Sequence, residues 1–82
     1  MALQGIERLK ATRAYKARIV EAKSDSLAAV VFRQHESVAF VYEGQVRSGI
    51  VRRIGFEAVL VHDDARGGLR SFRYDRVDGR PV

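Results

Sequence analysis

From Ser37 onward the chain runs in strand-length stretches of alternating side chains, separated by short breaks that contain glycine. This pattern constrains the fold more than any other feature, because a period of two sends successive side chains to opposite faces of a sheet. Val38, Phe40 and Tyr42 share one face of the first stretch, and Ala39 and Val41 share the other. Both faces are apolar, so Ser37–Tyr42 reads as a central strand. Glu43-Gly44 reads as a tight turn. Gln45–Ile54 reads as a long strand, with Val46, Ser48, Ile50, Arg52 and Ile54 on one face and Arg47, Val51 and Arg53 on the other. Gly49 in its middle permits a sharp bend. Residues 56–62 read as a third strand with Phe56, Ala58 and Leu60 inward. The polar loop 63–68 suits a hairpin, and residues 69–74 read as a fourth strand. Residues 75–79 read as a turn around Val77 with room for one more short strand. The last three residues, 80–82, read as frayed.

The first 23 residues read differently. Good helix formers dominate residues 3–23, and Leu3, Ile6 and Leu9, then Tyr15, Ile19 and Ala22, recur at helical spacing. The expectation is one long helix, or two with a bend near Thr12. Ser24, Asp25 or Ser26 can cap a second, short helix over residues 27–34. Val30, Val31 and Phe32 argue there for a strand instead, and helix is the reading adopted. The predicted fold class is therefore α+β: N-terminal helix or helices, then a small antiparallel SH3/Sm-like β-barrel of four to five strands. The organisation expected is one structural domain, with residues 1–24 an N-terminal helix for packing or dimerisation and residues 25–80 a short helix plus the barrel.

The chain has 82 residues and no cysteine, so its core is thin and no disulfide supports it. No stretch is apolar for long enough to cross a bilayer as a helix, and the first five residues do not resemble a secretory leader. A cytoplasmic location follows as the expectation, with no membrane partner. The net charge is +5, and twelve of the fifteen basic residues are arginine, a side chain suited to bidentate phosphate contacts. Residues 1–24 hold six bases against two acids, residues 25–44 one against three, and residues 45–82 eight against five. Two basic zones thus flank a mildly acidic middle.

Catalytic signatures are missing. There is no thiol, no Gly-x-Ser-x-Gly elbow, no P-loop and no dinucleotide fingerprint. His35 and His62 lie in different elements and make no metal signature. The chain is expected to be no enzyme and to carry no cofactor.

Two stretches resemble a known family. Residues 27–44, closing on Ala39-Phe40-Val41-Tyr42-Glu43-Gly44, resemble the opening of a WYL domain. Leu69-Arg70-Ser71-Phe72-Arg73-Tyr74-Asp75-Arg76-Val77 is similar to that family's closing R-x-F-R-x-D-R-I signature. The family's Trp-Tyr-Leu tripeptide falls on Ala58-Val59-Leu60, where only Leu60 is kept. The resemblance implies a short helix packed on a five-stranded barrel. It also implies a bacterial or phage regulatory module that senses nucleic acid or nucleotide ligands, with Arg70, Arg73 and Arg76 facing the ligand. Single barrels of this kind look like short proteins of phages and mobile elements.

The residues themselves supply the candidate binding groups. Arg70, Phe72, Arg73 and Arg76 interleave bases with aromatics, as single-stranded nucleic acid requires. The competing reading makes Phe72 and Tyr74 core and pairs Arg73 and Arg76 with Asp75 or Asp78 in turns. Arg47, Arg52 and Arg53 extend the basic zone onto the long strand. Lys10, Arg13 and Lys16 form a helical row able to follow a phosphate backbone. The expected function is a non-catalytic binding or regulatory module that recognises nucleic acid, DNA or RNA, or a nucleotide-type ligand. The alternative is a protein-interaction module, phage-encoded and acting on a host or regulatory protein, with a homodimer formed through the N-terminal helix.

Overall fold

The computed structural model describes residues 16–82. These form eight strands: β1 (Ala17–Val20), β2 (Leu27–Ala28), β3 (Val30–Arg33), β4 (Ser37–Tyr42), β5 (Gln45–Ile54), β6 (Ala58–Asp63), β7 (Gly68–Arg73) and β8 (Val77–Pro81). A three-residue 3₁₀ turn, Tyr74–Arg76, joins β7 to β8. All pairing is antiparallel, in two sheets: a ribbon of β1 and β3, and a six-stranded sheet in the order β2-β8-β4-β5-β6-β7.

The expected helices are overturned wherever residues are described. Ala17–Val20 is a strand in register with β3, Ile19 opposite Val31 and Arg18 opposite Phe32. The expected short helix over 27–34 is instead β2 and β3. The β-branched and aromatic residues Ile19, Val20, Val30, Val31 and Phe32 find cross-strand partners and a core face, and that outweighs the helix propensity of their neighbours. The rest of the N-terminal helix, residues 1–15, lies outside the described residues, and the dimer expected through it loses its helical basis from Lys16 on. The described residues thus form an almost entirely β domain of two sheets, not helices followed by a barrel. The large sheet runs from edge strand β2 to edge strand β7. β1 joins β3 across the expected division at residue 24.

The strands from β4 onward follow the alternation closely. Phe40 is fully buried and Val38 and Tyr42 pack beside it, which makes β4 central, between β8 and β5. Glu43 and Gly44 both hold positive φ, 49° and 81°, the conformation of a primed two-residue hairpin turn. Residues 77–81 are not frayed. β8 pairs with both β4 and β2, and Lys23 donates its backbone N–H to the carbonyl of Asp78 at 2.8 Å.

One face assignment inverts. In β6 the inward residues are Val59, Val61 and Asp63, whereas Phe56 is 70% exposed. Phe56 stands ahead of β6 in the β5–β6 turn, so strand parity does not govern it. Gly49 serves a close approach: a Cβ there would lie 2.0 Å from the His62 carbonyl oxygen. The core joins Phe32, Phe40 and Phe72 in edge-to-face contacts at 5.1–5.2 Å, with Tyr74 tilted against Phe32. Val30, Val51, Ile54, Val59, Val61 and Val77 fill the space around the rings. A buried ring or branched side chain contributes about 1.5–3 kcal/mol, so ten such residues carry most of the stability of this sheet stack.

Candidate functional site: the arginines and the β5–β6 end

Three of the C-terminal arginines, Arg70, Arg73 and Arg76, are each held by an acid, whereas exposed Arg66 and Arg80 have no acidic partner among the described residues. Arg70 points from β7 toward the same side as Phe72, and its Nη1 lies 3.7 Å from Oδ2 of Asp63. Asp63 is only 1% exposed, and its Oδ1 accepts the backbone N–H of Ala65 at 2.9 Å. Neither Oδ2 of Asp63 nor Nη1 of Arg70 makes a hydrogen bond, so the pair is an ion pair across a slightly long gap. The Arg70 guanidinium also stands over the Phe72 ring at 5.8 Å. Phe72 is core.

Arg73 grips Asp75 with two hydrogen bonds, Nε to Oδ1 at 3.1 Å and Nη2 to Oδ2 at 2.9 Å. The hydrogen bond from Arg73 lowers the Asp75 carboxyl below its ordinary value, and the same bond, aided by Asp75's charge, raises Arg73. Arg76 lies 4.0 Å from Glu43 across the hairpin turn. Of the pairings expected in the turns, Arg73 with Asp75 is present, while Arg76 reaches Glu43 rather than Asp75 or Asp78.

The long strand divides its arginines. The β5–β6 pairing shifts register between Val51 and Arg53, a bulge centred on Arg52. An extra residue there lets both Val51 and Ile54 turn inward, three positions apart, and leaves Arg52 and Arg53 exposed side by side. Arg47 precedes the bulge on the parity of Gly49 and Val51; it is half-buried, and its Nε is enclosed without a hydrogen bond. Arg47 and Arg53 do not form one strip.

What meets Arg52 and Arg53 is the turn after β3. Gln34 donates its side-chain N–H to the Arg52 carbonyl at 3.4 Å and its backbone N–H to the Lys16 carbonyl at 3.2 Å. His35, at φ 70°, donates to the Val51 carbonyl, and Val51 donates back to Glu36. This strap gathers exposed Lys16, Arg33, Arg52 and Arg53 at one end of the protein. None of the four has an acidic partner among the described residues. Arg33 escaped the sequence reading because it was placed inside a helix. Lys10 and Arg13 lie outside the described residues, and Lys16 precedes a strand.

Beside this end lies an open pocket of about 270 Å³, lined by Arg18, Phe56, Glu57, Arg73, Tyr74 and Asp75. The Arg18 guanidinium stacks 4.5 Å from the centre of the Tyr74 ring. Tyr74 donates its hydroxyl to the Gly55 carbonyl at 2.8 Å, fixing the β5–β6 turn that carries Phe56.

These features define a small antiparallel β domain with an unneutralised cationic end. No protein family, curated protein or solved structure matches the chain. Among the described residues, no helix is long and apolar enough to cross a membrane.

Proposed function

We propose that this protein is a non-catalytic binding module that recognises nucleic acid through the cations at its β3–β5 end. The observation that carries the reading is the exposed set Arg33, Arg52 and Arg53, with Lys16 beside them, none of which has an acidic partner among the described residues. The paired arginines contribute less. An Arg already bonded to a carboxylate must give up that bond to engage a phosphate, so Arg70, Arg73 and Arg76 serve chiefly to hold strands and turns. The WYL-like residues 69–77 contribute a structural close in this reading, in which Phe72 and Tyr74 are core.

The test is titration of labelled single-stranded DNA across a salt series. Each phosphate neutralised adds about 0.7 to the slope of log affinity against log salt. Arg52→Glu with Arg53→Glu is expected to abolish binding at low salt. An affinity indifferent to salt, or unaltered by this double change, refutes the proposal.

One observation favours a second reading as a protein-interaction module. Ile19, 61% exposed, stands directly opposite exposed Val31 on the outer face of the β1–β3 ribbon. A partner retained from lysate after nuclease treatment, and lost on Ile19→Asp, supports that reading.

A further inference from the structure

The six-stranded sheet ends on two unlike edges. One is β2, two residues long. The other is β7, six residues without a proline or a bulge, paired along its whole length with β6. An edge of that length attracts another strand, and natural edges are guarded by charge. Which backbone groups of β7 are free follows from its register. Tyr74 donates its N–H to the Glu57 carbonyl at 3.1 Å, continuing the ladder that sets Arg73 opposite Ala58. Bonded and unbonded pairs alternate along an antiparallel ladder. Phe72, Arg70 and Gly68 therefore turn their backbone groups to β6, and Arg73, Ser71 and Leu69 turn theirs away. The N–H of Arg73 accordingly goes to the Tyr42 hydroxyl at 3.3 Å. The outward groups of Leu69 and Ser71 meet no partner among the described residues, and both residues are exposed, Leu69 by 58%.

We propose that the free edge of β7 docks an extended strand from another protein, one in which acidic and apolar residues alternate. Its backbone continues the sheet on the outward groups of Leu69 and Ser71. Adjacent strands share faces, so one parity of the guest lies beside Leu69 on the outer face and takes apolar residues. The other parity lies on the side of Arg70. Arg70 is 34% exposed and faces its own Asp63 across 3.7 Å without a hydrogen bond, so its N–H groups are unspent. Arg66, exposed in the loop just before β7, has no acidic partner among the described residues. Both arginines favour a carboxylate on the guest. A second copy of this chain suits the edge badly. Antiparallel pairing of Leu69 with Ser71 sets Arg70 against its counterpart, like charges directly opposite. A register one bonded step away needs the N–H of Arg73 or of Gly67, which Tyr42 and Asp63 already hold.

The experiment measures fluorescence anisotropy at neutral pH with three short labelled peptides: a Val-Glu repeat, a Val-Lys repeat, and the Val-Glu repeat with every amide N-methylated. The last keeps the charges and loses every backbone donor. The proteins are wild type, Ser71→Pro, Arg66→Glu and the Arg52→Glu/Arg53→Glu double variant, each checked for its β-sheet circular dichroism. Ser71→Pro removes an N–H that points away from β6, a place where an edge strand admits proline. Wild type is expected to bind the Val-Glu repeat and neither of the other two. Ser71→Pro weakens that binding by about 10-fold or more, the loss of one backbone bond plus the obstruction of the ring. Arg66→Glu weakens it as well, and the double variant still binds. No binding of the Val-Glu repeat, equal binding of the Val-Lys repeat, or undiminished binding of the methylated peptide overturns the proposal. Binding lost in the double variant but untouched by Ser71→Pro overturns it too, because the peptide then lies on the cationic end. A wild-type dimer in sedimentation that Ser71→Pro dissociates assigns the edge to a second copy and likewise refutes an acidic guest.

Discussion

Asp63 is the one charged side chain fully enclosed among the described residues, and its removal has a cost that the structure sets. Its Oδ1 holds the Ala65 N–H at the start of the β6–β7 loop, and its Oδ2 faces Arg70 at 3.7 Å. A hydrogen bond to a charged acceptor is worth about 1.5–3 kcal/mol. The Coulomb attraction at 3.7 Å is about 4–5 kcal/mol at an effective dielectric near 20, before desolvation is subtracted. Arg70 is 34% exposed, so water recovers part of its charge when Asp63 is gone, and the penalty falls below the 3–5 kcal/mol of a fully buried broken pair. Asp63→Ala is therefore expected to lose about 2–4 kcal/mol, a melting shift on the order of 10–25 °C for a domain this size. The chain has no tryptophan, so urea unfolding is followed by circular dichroism or tyrosine fluorescence. Arg70→Met isolates the pair, and the double variant completes a cycle with an expected coupling of about 1–2 kcal/mol. An Asp63→Ala loss under about 0.5 kcal/mol, or no coupling, shows that the pair is incidental and returns Arg70 to the pool of arginines available for a ligand.

Gly49→Ala places a Cβ 2.0 Å from the His62 carbonyl oxygen and 2.7 Å from a Val61 methyl, both on the paired strand. It is expected to cost more than the ~1–3 kcal/mol of ordinary overpacking, and urea midpoints check it. Gly68→Ala, with nothing within 4 Å of its Cβ, is the control. Asp75 is lowered in the folded state by Arg73, so its contribution is present above its ordinary value of 3.8 and is lost as pH falls through the lower folded value. The stability difference between wild type and Asp75→Asn should thus be constant near neutrality and shrink below about pH 4, as read from urea midpoints at several pH values. Arg73, raised further above an already high ordinary value, keeps its charge and its share throughout this range, so no step from this pair is expected between pH 5 and 10.

Legibility followed periodicity. β4 and β5 have the bounds the alternation implies, because β4 and the first part of β5, up to its bulge, each keep one parity toward the core and their ends are marked by turn residues such as Glu43-Gly44. Residues 17–20 and 30–33 misled because short strands offer too few repeats to separate a period of two from helical spacing. Arg18, Lys23 and Ala22 favour helix locally, and only the pairing of β1 with β3, ten or more residues apart, decides otherwise. Phe56 was misplaced for a related reason: as a turn residue it obeys no parity.

The candidate site was half legible because a basic residue's partner is set by folding, not by spacing. Arg73 and Asp75 are two residues apart, and a pair at that distance was foreseeable. Arg76 with Glu43, and Arg70 with Asp63, form only after the hairpins close. Arg52 and Arg53 show the converse. Strict alternation would send one of them inward, and it is the bulge, invisible in the sequence, that turns both outward. The functional weight of an arginine in this protein therefore follows from two local facts: whether an acid lies within reach, and whether the strand beneath it keeps its register. By the first measure exposed Arg66 and Arg80 also remain, but only around the β5 bulge and the end of β3 do such cations stand side by side, joined through Gln34.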